Sequence, residues 1–295
     1  FFRHEAKGKA APGQPDEEVE LKPEGRVAAI ARGKERVVHP EVSWAAGSKR
    51  ARSAHTALLR MAAGYTDLTP EMTFPEAVAE IQKELKAAGG SKAKEEKKVG
   101  VRPELNFIWD GTPEFKKAVY DSDDQGRSLK FLLDESDMVA IKAKDMKSLS
   151  YTRTAANYAS LIAKYMTVGN RFNEIVARDD KEKYKKFGDQ LERFFGTHQS
   201  VGEMFYMKVL EKTSGHEKAE EFIRSFGDAP NAKNGFGFQD GFDVRITNGP
   251  EGQKVMLQGI HGFSDTELTP DILASIIADA EQLDAKIESE SAKVK

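Results

Sequence analysis

The sequence predicts a mainly α-helical protein, built as a helical bundle with a small β-hairpin near its C-terminus. Aromatic, aliphatic and small residues recur every three or four positions after residue 150, which is the repeat of one helix face. They are Tyr151, Ala155, Tyr158, Ile162, Tyr165, Gly169, Phe172 and Val176. Apolar and polar residues alternate instead over 242–260, as in a hairpin. Charged residues make up 32% of the chain and hydrophobic ones 39%, which fits helices with charged outer faces.

The first 90 residues are predicted to form a tail followed by short helices. Residues 1–25 hold several glycines and prolines and few apolar side chains, so we expect a flexible tail, or one that orders only against a partner. Ser48 suits the N-cap of a first helix, and Thr73 suits the N-cap of a second. The stretch 26–90 is therefore predicted to be a small basic helical region.

The next 50 residues are ambiguous between helix and strand. Residues 91–100 hold almost no large apolar side chain and are predicted to be a linker. Apolar residues alternate with polar ones over 105–109, which indicates a short strand. The run 113–147 fits either helices or a hairpin, so the fold is α+β if residues 105–141 form strands.

Helices with aromatic faces are predicted between the long stripe and the hairpin. The helical spacing recurs over 184–196, 201–209 and 219–226, and the short connections between these segments are typical of an antiparallel bundle.

The C-terminal quarter is predicted to contain a hairpin and one long helix. The two alternating runs of 242–260 are separated by the turn sequence Asn-Gly-Pro-Glu-Gly. Thr269 and Pro270 then give an N-cap and a first-turn proline to an amphipathic final helix. The predicted helical body thus spans 101–295 and carries its hairpin at 242–260.

The composition excludes several classes of site. The 295 residues include no cysteine, which excludes disulfides, thiolate nucleophiles and cysteine-ligated metals. No apolar run approaches the ~20 residues that a membrane span needs. The net charge of −3 gives no overall attraction to nucleic acid. We expect a soluble, cytoplasmic protein and leave open its export after removal of an N-terminal leader.

Charge is distributed unevenly along the chain. Eight basic residues lie between Arg26 and Arg60 against two acidic ones, whereas the segment 261–295 is acidic. Basic residues beside Trp44 at a helix start suit phosphate groups or an acidic protein partner, and a solvated surface is the alternative. The predicted anion- or partner-binding residues are Arg32, Arg36, Lys49, Arg50 and Arg52.

The sequence assigns no catalytic residue, because the serine-hydrolase and zinc-protease motifs are absent. His261 lies near Asp240 and Asp243 along the chain, and a His–Asp pair can perform general acid–base catalysis. These three residues are the candidates for an enzyme site in the 234–265 region. The alternative is a hydrogen-bonded surface histidine.

One acidic segment resembles the opening of a calcium loop. Asp121 and Asp123 alternate as two ligands would, and Gly126 stands at the sixth position. The twelfth position, where a bidentate acid is needed, holds Leu132. We therefore predict an acidic turn or helix cap here, and neither a metal nor a cofactor in the protein.

The function expected from these patterns is interaction rather than catalysis. We expect a non-catalytic protein that binds another protein, or copies of itself, through helical faces and a basic N-terminal region. Two alternatives stay open: an enzyme with a polar site at 234–265, and nucleic-acid or phosphate binding through residues 26–60. Of the two classes of macromolecular partner, nucleic acid is the less favoured.

Overall fold

The computed structural model describes residues 1–35, 42–87, 98–178, 191–227, 235–238, 240–249 and 251–292. These ranges contain ten α-helices: α1 (Pro23–Lys34), α2 (Ala51–Ala62), α3 (Phe74–Ala87), α4 (Pro113–Asp124), α5 (Ser128–Asp134), α6 (Ser136–Lys142), α7 (Tyr151–Val176), α8 (Val201–Ser214), α9 (His216–Ser225) and α10 (Pro270–Ala292). They also contain seven strands: β1 (Phe2–Arg3), β2 (Trp44–Gly47), β3 (Val99–Val101), β4 (Arg193–Thr197), β5 (Val244–Gly249), β6 (Gly252–Leu257) and β7 (Thr266–Glu267).

The fold is mixed α/β rather than a purely helical bundle. Helices account for 56% of the described residues, and the strands form a four-stranded parallel sheet and a three-stranded antiparallel sheet. The predicted helical content is confirmed. The parallel sheet was not predicted, because its short strands pair only with segments that are distant in the sequence.

Contacts divide the chain into two compact units. Unit 1 comprises Phe1–Asn106, Val168–His198 and Phe238–Asp240. Unit 2 comprises Phe107–Thr167, Gln199–Gly237 and Gly241–Lys295. Helix α7 therefore begins in unit 2 and ends in unit 1.

Unit 1 is built on the parallel sheet, whose strand order is β1-β4-β2-β3. Phe2 pairs with Gly196, and Ala45 pairs with both Phe194 and Val99. Because all three strand pairs are parallel, the carboxyl ends of the four strands meet at one edge of the sheet. The segments that follow the strands are thereby brought together at that edge.

Helix α2 packs directly on this sheet. A Cβ atom added to Gly47 would lie 2.2 Å from the backbone nitrogen of Ala54, and one added to Gly196 would lie 2.0 Å from the carbonyl oxygen of Ser53. Glycine at these two strand positions therefore allows the helix backbone to approach the sheet. Helices α1 and α3 pack against α2 as well, so every residue of α2 from Arg52 to Ala62 is buried.

Unit 2 is a group of helices around an aromatic interior, accompanied by the antiparallel sheet. Helix α8 packs against α5, α9 and α10, and α4 packs against α5 and α6. Tyr158 and Phe205 stack with ring centroids 5.6 Å apart, and Tyr206 and Phe222 stack at 4.6 Å. All four side chains are fully buried or nearly so. The predicted helices beginning at 151, 201 and 219 are confirmed as α7, α8 and α9.

The predicted hairpin and final helix are also confirmed. Strands β5 and β6 pair antiparallel from Val244–Leu257 to Gly249–Gly252. Thr269 Oγ1 accepts a hydrogen bond from the backbone N–H of Ile272 at 3.2 Å, which makes it the N-cap of α10.

Several local predictions were wrong. Residues 106–110, where a strand was expected, form no regular element, and the choice left open over 113–147 is decided for the helices α4, α5 and α6. Their apolar residues fit both periods over such short runs, so the alternation was not decisive. The predicted helix 184–196 lies outside the described residues up to 190, and its last residues form β4. Ser48 does not cap α2, because the helix begins only at Ala51.

The first 25 residues, expected from the sequence to be a flexible tail, pack against the rest of unit 1. Phe2, Val19 and Leu21 are buried, and Lys7 bridges to Leu21. The physical reason is the pairing of β1 with β4, a partner nearly 200 residues away that composition alone does not reveal. The predicted linker 91–100 lies mostly outside the described residues, and its end forms part of β3.

Within the described ranges, none of the helices is both long and apolar enough to cross a membrane.

Candidate functional site

Polar residues converge at the carboxyl edge of the parallel sheet in unit 1. His4 directly follows β1, His198 directly follows β4, and Ser48 directly follows β2. The rings of His4 and His198 meet edge to face with their centroids 5.0 Å apart. In open α/β sheets, ligands bind outside the carboxyl ends of the strands. This edge is therefore the first place in unit 1 to look for a functional site.

His4 is held as a neutral imidazole with a defined tautomer. Its Nδ1 lies 2.5 Å from the carbonyl oxygen of Glu5, and its Nε2 accepts a hydrogen bond from Arg52 Nε at 3.2 Å. The hydrogen-bond network thus assigns the proton to Nδ1 and the lone pair to Nε2. Burial, together with the nearby charges of Arg52, Arg3 and Arg50, lowers the pKa of His4 to about 3.

His198 is fixed by a chain of hydroxyl groups. Its Nε2 lies 2.6 Å from Ser48 Oγ, which lies 2.9 Å from Ser53 Oγ. Ser53 donates its own proton to the Arg50 carbonyl at 2.9 Å. Ser48 must therefore donate to Ser53, and His198 donates from Nε2 to Ser48.

The imidazole of His198 is also kept neutral. Burial lowers its pKa well below the ordinary value, and the charges of Arg52, Arg50 and Arg3 act in the same direction. His198 is 4% exposed and His4 is 8% exposed. We call Arg3, His4, Arg50, Arg52 and His198 the histidine–arginine cluster.

Arg52 lies at the centre of this cluster. It is 3% exposed, although arginine is almost never buried without partners. Its Nε donates to His4, its Nη1 donates to the Asp16 carbonyl at 2.9 Å, and its Nη2 donates to the Asp16 carboxylate at 3.1 Å. The first turn of α2 thus directs a guanidinium group at a histidine lone pair and at an anion.

The anion is supplied by an acidic 3-10 turn, Asp16–Glu18, which we call the acidic turn. Asp16 pairs with Arg50 at 2.8 Å and with Lys7 at 3.1 Å, in addition to Arg52. Burial alone would raise the pKa of Asp16, but the hydrogen bonds from Arg52 and Lys7 outweigh it and hold the pKa at about 2. Glu17 pairs with Lys49 at 2.9 Å, and this contact lowers its pKa as well.

The structure brings together three of the five residues predicted to bind an anion or a partner. Lys49, Arg50 and Arg52 all contact the acidic turn. Arg32 lies exposed on α1 and is not among the residues that contact this turn. Arg36 lies outside the described residues.

The three catalytic candidates from the sequence are divided between the units. Asp240 belongs to unit 1, where its carbonyl oxygen accepts a hydrogen bond from the Arg3 backbone at 2.8 Å. Asp243 and His261 belong to unit 2. The His261 ring packs on phenylalanine rings, the nearest being Phe226 at 4.6 Å.

The candidate calcium ligands belong to α4. Asp121 pairs with Lys117 one turn earlier, and Asp123 accepts a hydrogen bond from Ser128 at 2.8 Å. Asp121 thus forms an ion pair along the surface of α4, and Asp123 links the end of α4 to the first residue of α5.

Among the described residues, one group in unit 2 has the spacing of metal ligands. Asp134, His216 and Glu220 hold their ligand atoms within 4.8 Å of one another. Lys130 pairs with both carboxylates and Arg224 pairs with Glu220, so cationic side chains of the chain already contact these oxygens.

Sequence reasoning missed His4 and His198 as site residues. A repeated signal could have found them. The chain contains two Phe-Phe pairs followed closely by histidine, FFRH at 1–4 and FFGTH at 194–198. The pairs lie side by side in the sheet, and the rings of Phe1 and Phe195 stack at 4.8 Å. Two similar short strands that each end in histidine indicate paired neighbours with a shared edge.

Comparison of the chain with models of known protein families, with curated proteins and with solved structures finds no significant match.

Proposed function

We propose that the histidine–arginine cluster binds the phosphoryl group of a phosphate monoester, and that His4 carries out its hydrolysis as the nucleophile. The observation that supports this most is the state of His4. Its Nε2 lone pair lies beside Arg52, in the field of two further arginines. A neutral nucleophile surrounded by guanidinium groups suits an electrophile that is itself an anion.

Phosphate fits the donors of the cluster. Guanidinium groups offer planar pairs of N–H donors that match the oxygens of a phosphoryl group. His4, Arg52 and His198 are each less than a tenth exposed. Such buried side chains favour the single phosphoryl group of a small ester over the backbone of a nucleic acid.

The reaction would run in two steps at His4. Nε2 gives up the hydrogen bond that it accepts from Arg52 Nε and attacks phosphorus, and the bond from phosphorus to the ester oxygen breaks with its electron pair. The leaving alkoxide takes a proton from solvent water and leaves a hydroxide. A second water then attacks the phosphorus, the bond from phosphorus to Nε2 breaks with its electron pair, and the hydroxide takes the proton that this water loses, so inorganic phosphate is released and the imidazole is restored. The hydrogen bond from Nδ1 to the Glu5 carbonyl keeps Nε2 directed at the cluster throughout.

The arginines would stabilise the charge on the phosphoryl oxygens. Arg52 and Arg50 already hold a carboxylate, so their donors are oriented toward an anion before any ligand binds.

The test is hydrolysis of p-nitrophenyl phosphate by the wild-type protein and by His4→Asn. We expect a loss of at least about a thousandfold, since removal of a nucleophile has effects of this order. His261→Asn is the matched control, because it changes an exposed histidine in unit 2 and should keep full activity. Phosphate that is labile to acid and stable to base should be trapped on the wild type and not on His4→Asn.

Two results would reject the proposal. One is equal hydrolysis by wild type and His4→Asn. The other is loss of activity in His261→Asn alone, which would move the site to the 234–265 region.

The interaction function expected from the sequence stays a prediction. The contacts of Lys49, Arg50 and Arg52 with Asp16 and Glu17 of the same chain support a site for a small ligand over a docking surface for a macromolecule.

A further inference from the structure

The acidic turn places a carboxylate where the proposed ligand needs its positive charges. Arg50 Nη1 and Arg52 Nη2 both contact the same atom, Asp16 Oδ2, at 2.8 and 3.1 Å. These two arginines are also among the charges that act on His4 and His198. One carboxylate of the chain thus engages the same guanidinium groups that a phosphoryl group would use.

We propose that Asp16 is a built-in competitor of the anion site, and that its carboxylate must leave Arg50 and Arg52 before a phosphoryl group binds. This inference rests on the proposed function and concerns the regulation of the same site. Because only molecules with a displaced carboxylate bind ligand, the apparent affinity is the intrinsic affinity multiplied by the fraction in that state.

The structure makes this displacement feasible. The Asp16 side chain is 40% exposed, whereas Arg52 beneath it is 3% exposed, so the carboxylate covers the arginine from the solvent side. A rotation about the side chain releases the carboxylate. The bond from Arg52 Nη1 to the Asp16 carbonyl remains, and the buried Val19 and Leu21 anchor the chain beyond the turn.

A neutral side chain at position 16 should therefore strengthen anion binding. We expect Asp16→Asn to bind inorganic phosphate about tenfold more tightly than wild type in titration calorimetry, as for a site that is open about a tenth of the time. Glu18→Gln is the matched control. Glu18 lies on the same turn, is exposed, and forms no ion pair with another described residue. Its affinity for phosphate should equal that of wild type.

The opposite result is equally clear. If Asp16 only positions the arginines, Asp16→Asn will bind phosphate more weakly than wild type, or with the same affinity, and the competitor role is overturned. Thermal unfolding of each variant, followed beside the titration, shows whether the variant is folded.

A second measurement uses the wild-type chain. The carboxyl carbon of Asp16, followed by NMR at neutral pH, should change its chemical shift when sulfate saturates the wild-type protein, because the carboxylate leaves Arg50 and Arg52. An unchanged chemical shift with sulfate bound would overturn the proposal even if Asp16→Asn failed to fold.

The two proposals fail in different ways. If neither wild type nor Asp16→Asn binds phosphate, the phosphate site itself is rejected. If both bind phosphate with equal affinity and His4→Asn abolishes hydrolysis, the phosphate site stands and the competitor alone is rejected.

Discussion

The two units differ in what they bury. Unit 1 encloses His4, His55 and His198, whereas the two described histidines of unit 2, His216 and His261, are exposed. The interior of unit 2 holds a cluster of aromatic rings in mutual contact, and its buried Arg153 and Lys208 pair with carboxylates. Burying polar groups costs free energy unless they are hydrogen-bonded, so a polar interior is expected where reactivity requires it. Under the proposed function, unit 1 would carry the chemistry, whereas the aromatic rings of unit 2 stabilise it by packing.

Each unit contains one of the two tryptophans, and this makes the comparison measurable. Trp44 lies in unit 1 and Trp109 lies in unit 2. In a Trp109→Phe background fluorescence follows the unfolding of unit 1, and in a Trp44→Phe background it follows unit 2.

The largest effect is expected from a substitution that creates a cavity in the interior of unit 2. Phe222 is fully buried and stacks on Tyr206, so Phe222→Ala should reduce the free energy of unfolding of unit 2 by about 3–5 kcal/mol. Urea unfolding followed through Trp109 measures the loss. Tyr120→Ala is the control, because Tyr120 is 57% exposed and its removal should cost less than about 0.5 kcal/mol. Similar losses in the two variants would mean that the aromatic interior does not stabilise unit 2.

Between pH 7.5 and 5.5, a fall in pH should lower the free energy of unfolding of unit 1 more than that of unit 2. The pKa values of His4 and His55 are lowered from 6.5 to about 3, and burial is the main cause for both. Below pH 6.5 these two imidazoles bind protons in the unfolded chain but stay neutral in the folded unit. The contribution of the histidines to stability is therefore full above pH 6.5 and is lost as the pH drops toward 3.

Each of these two histidines should lower the stability of unit 1 by about 1.4 kcal/mol between pH 7.5 and 5.5. His198 acts in the same direction, since burial lowers its pKa as well. Urea unfolding through Trp44 over this range tests the expectation, with the Trp109 signal as the reference. A flat profile for unit 1 would contradict the neutral, buried state of its histidines.

His55 allows the stability cost of burying a histidine to be measured at a residue that lies outside the histidine–arginine cluster. It is fully buried against Phe74, and neither ring nitrogen has a hydrogen-bond partner among the described residues. It forms no part of the histidine–arginine cluster. His55→Leu should therefore stabilise unit 1 by about 1–2 kcal/mol at neutral pH, because an unpaired buried polar group is removed.

The same variant should reduce the loss of stability of unit 1 between pH 7.5 and 5.5 by about 1.4 kcal/mol, which is the contribution of one histidine. The hydrolysis of p-nitrophenyl phosphate should be unchanged. A large loss of activity in His55→Leu, with the unit still folded, would show that the activity of the site depends on His55.

Local patterns predicted the parts of the fold that local forces determine. The spacing from Tyr151, the cap at Thr269 and the alternation in 242–260 each depend on neighbours within a few residues, and all three were confirmed. The parallel sheet depends on pairs such as Phe2 with Gly196, for which a two-residue strand gives no periodic signal.

The candidate site was predictable only in part for the same reason. Lys49, Arg50 and Arg52 lie within four residues of sequence and were predicted as an anion- or partner-binding group. His4 and His198 reach them only through the strand order of the sheet. Asp16, which the chain itself supplies as the anion, belonged to a segment whose composition indicated a tail.

The smallest expected effects compare one helix cap in each unit. Thr269 accepts the N–H of Ile272, a group without another partner in the first turn of α10, so Thr269→Ala should cost unit 2 about 1 kcal/mol. At the start of α3, Glu76 accepts both the backbone N–H and the hydroxyl of Thr73, at 2.7 and 2.8 Å. Thr73→Ala keeps the backbone contact and loses only an exposed hydroxyl, so unit 1 should lose less than about 0.5 kcal/mol. Because both caps are local, equal losses would mean that the hydroxyl of Thr73 also serves as an acceptor for the first turn of α3.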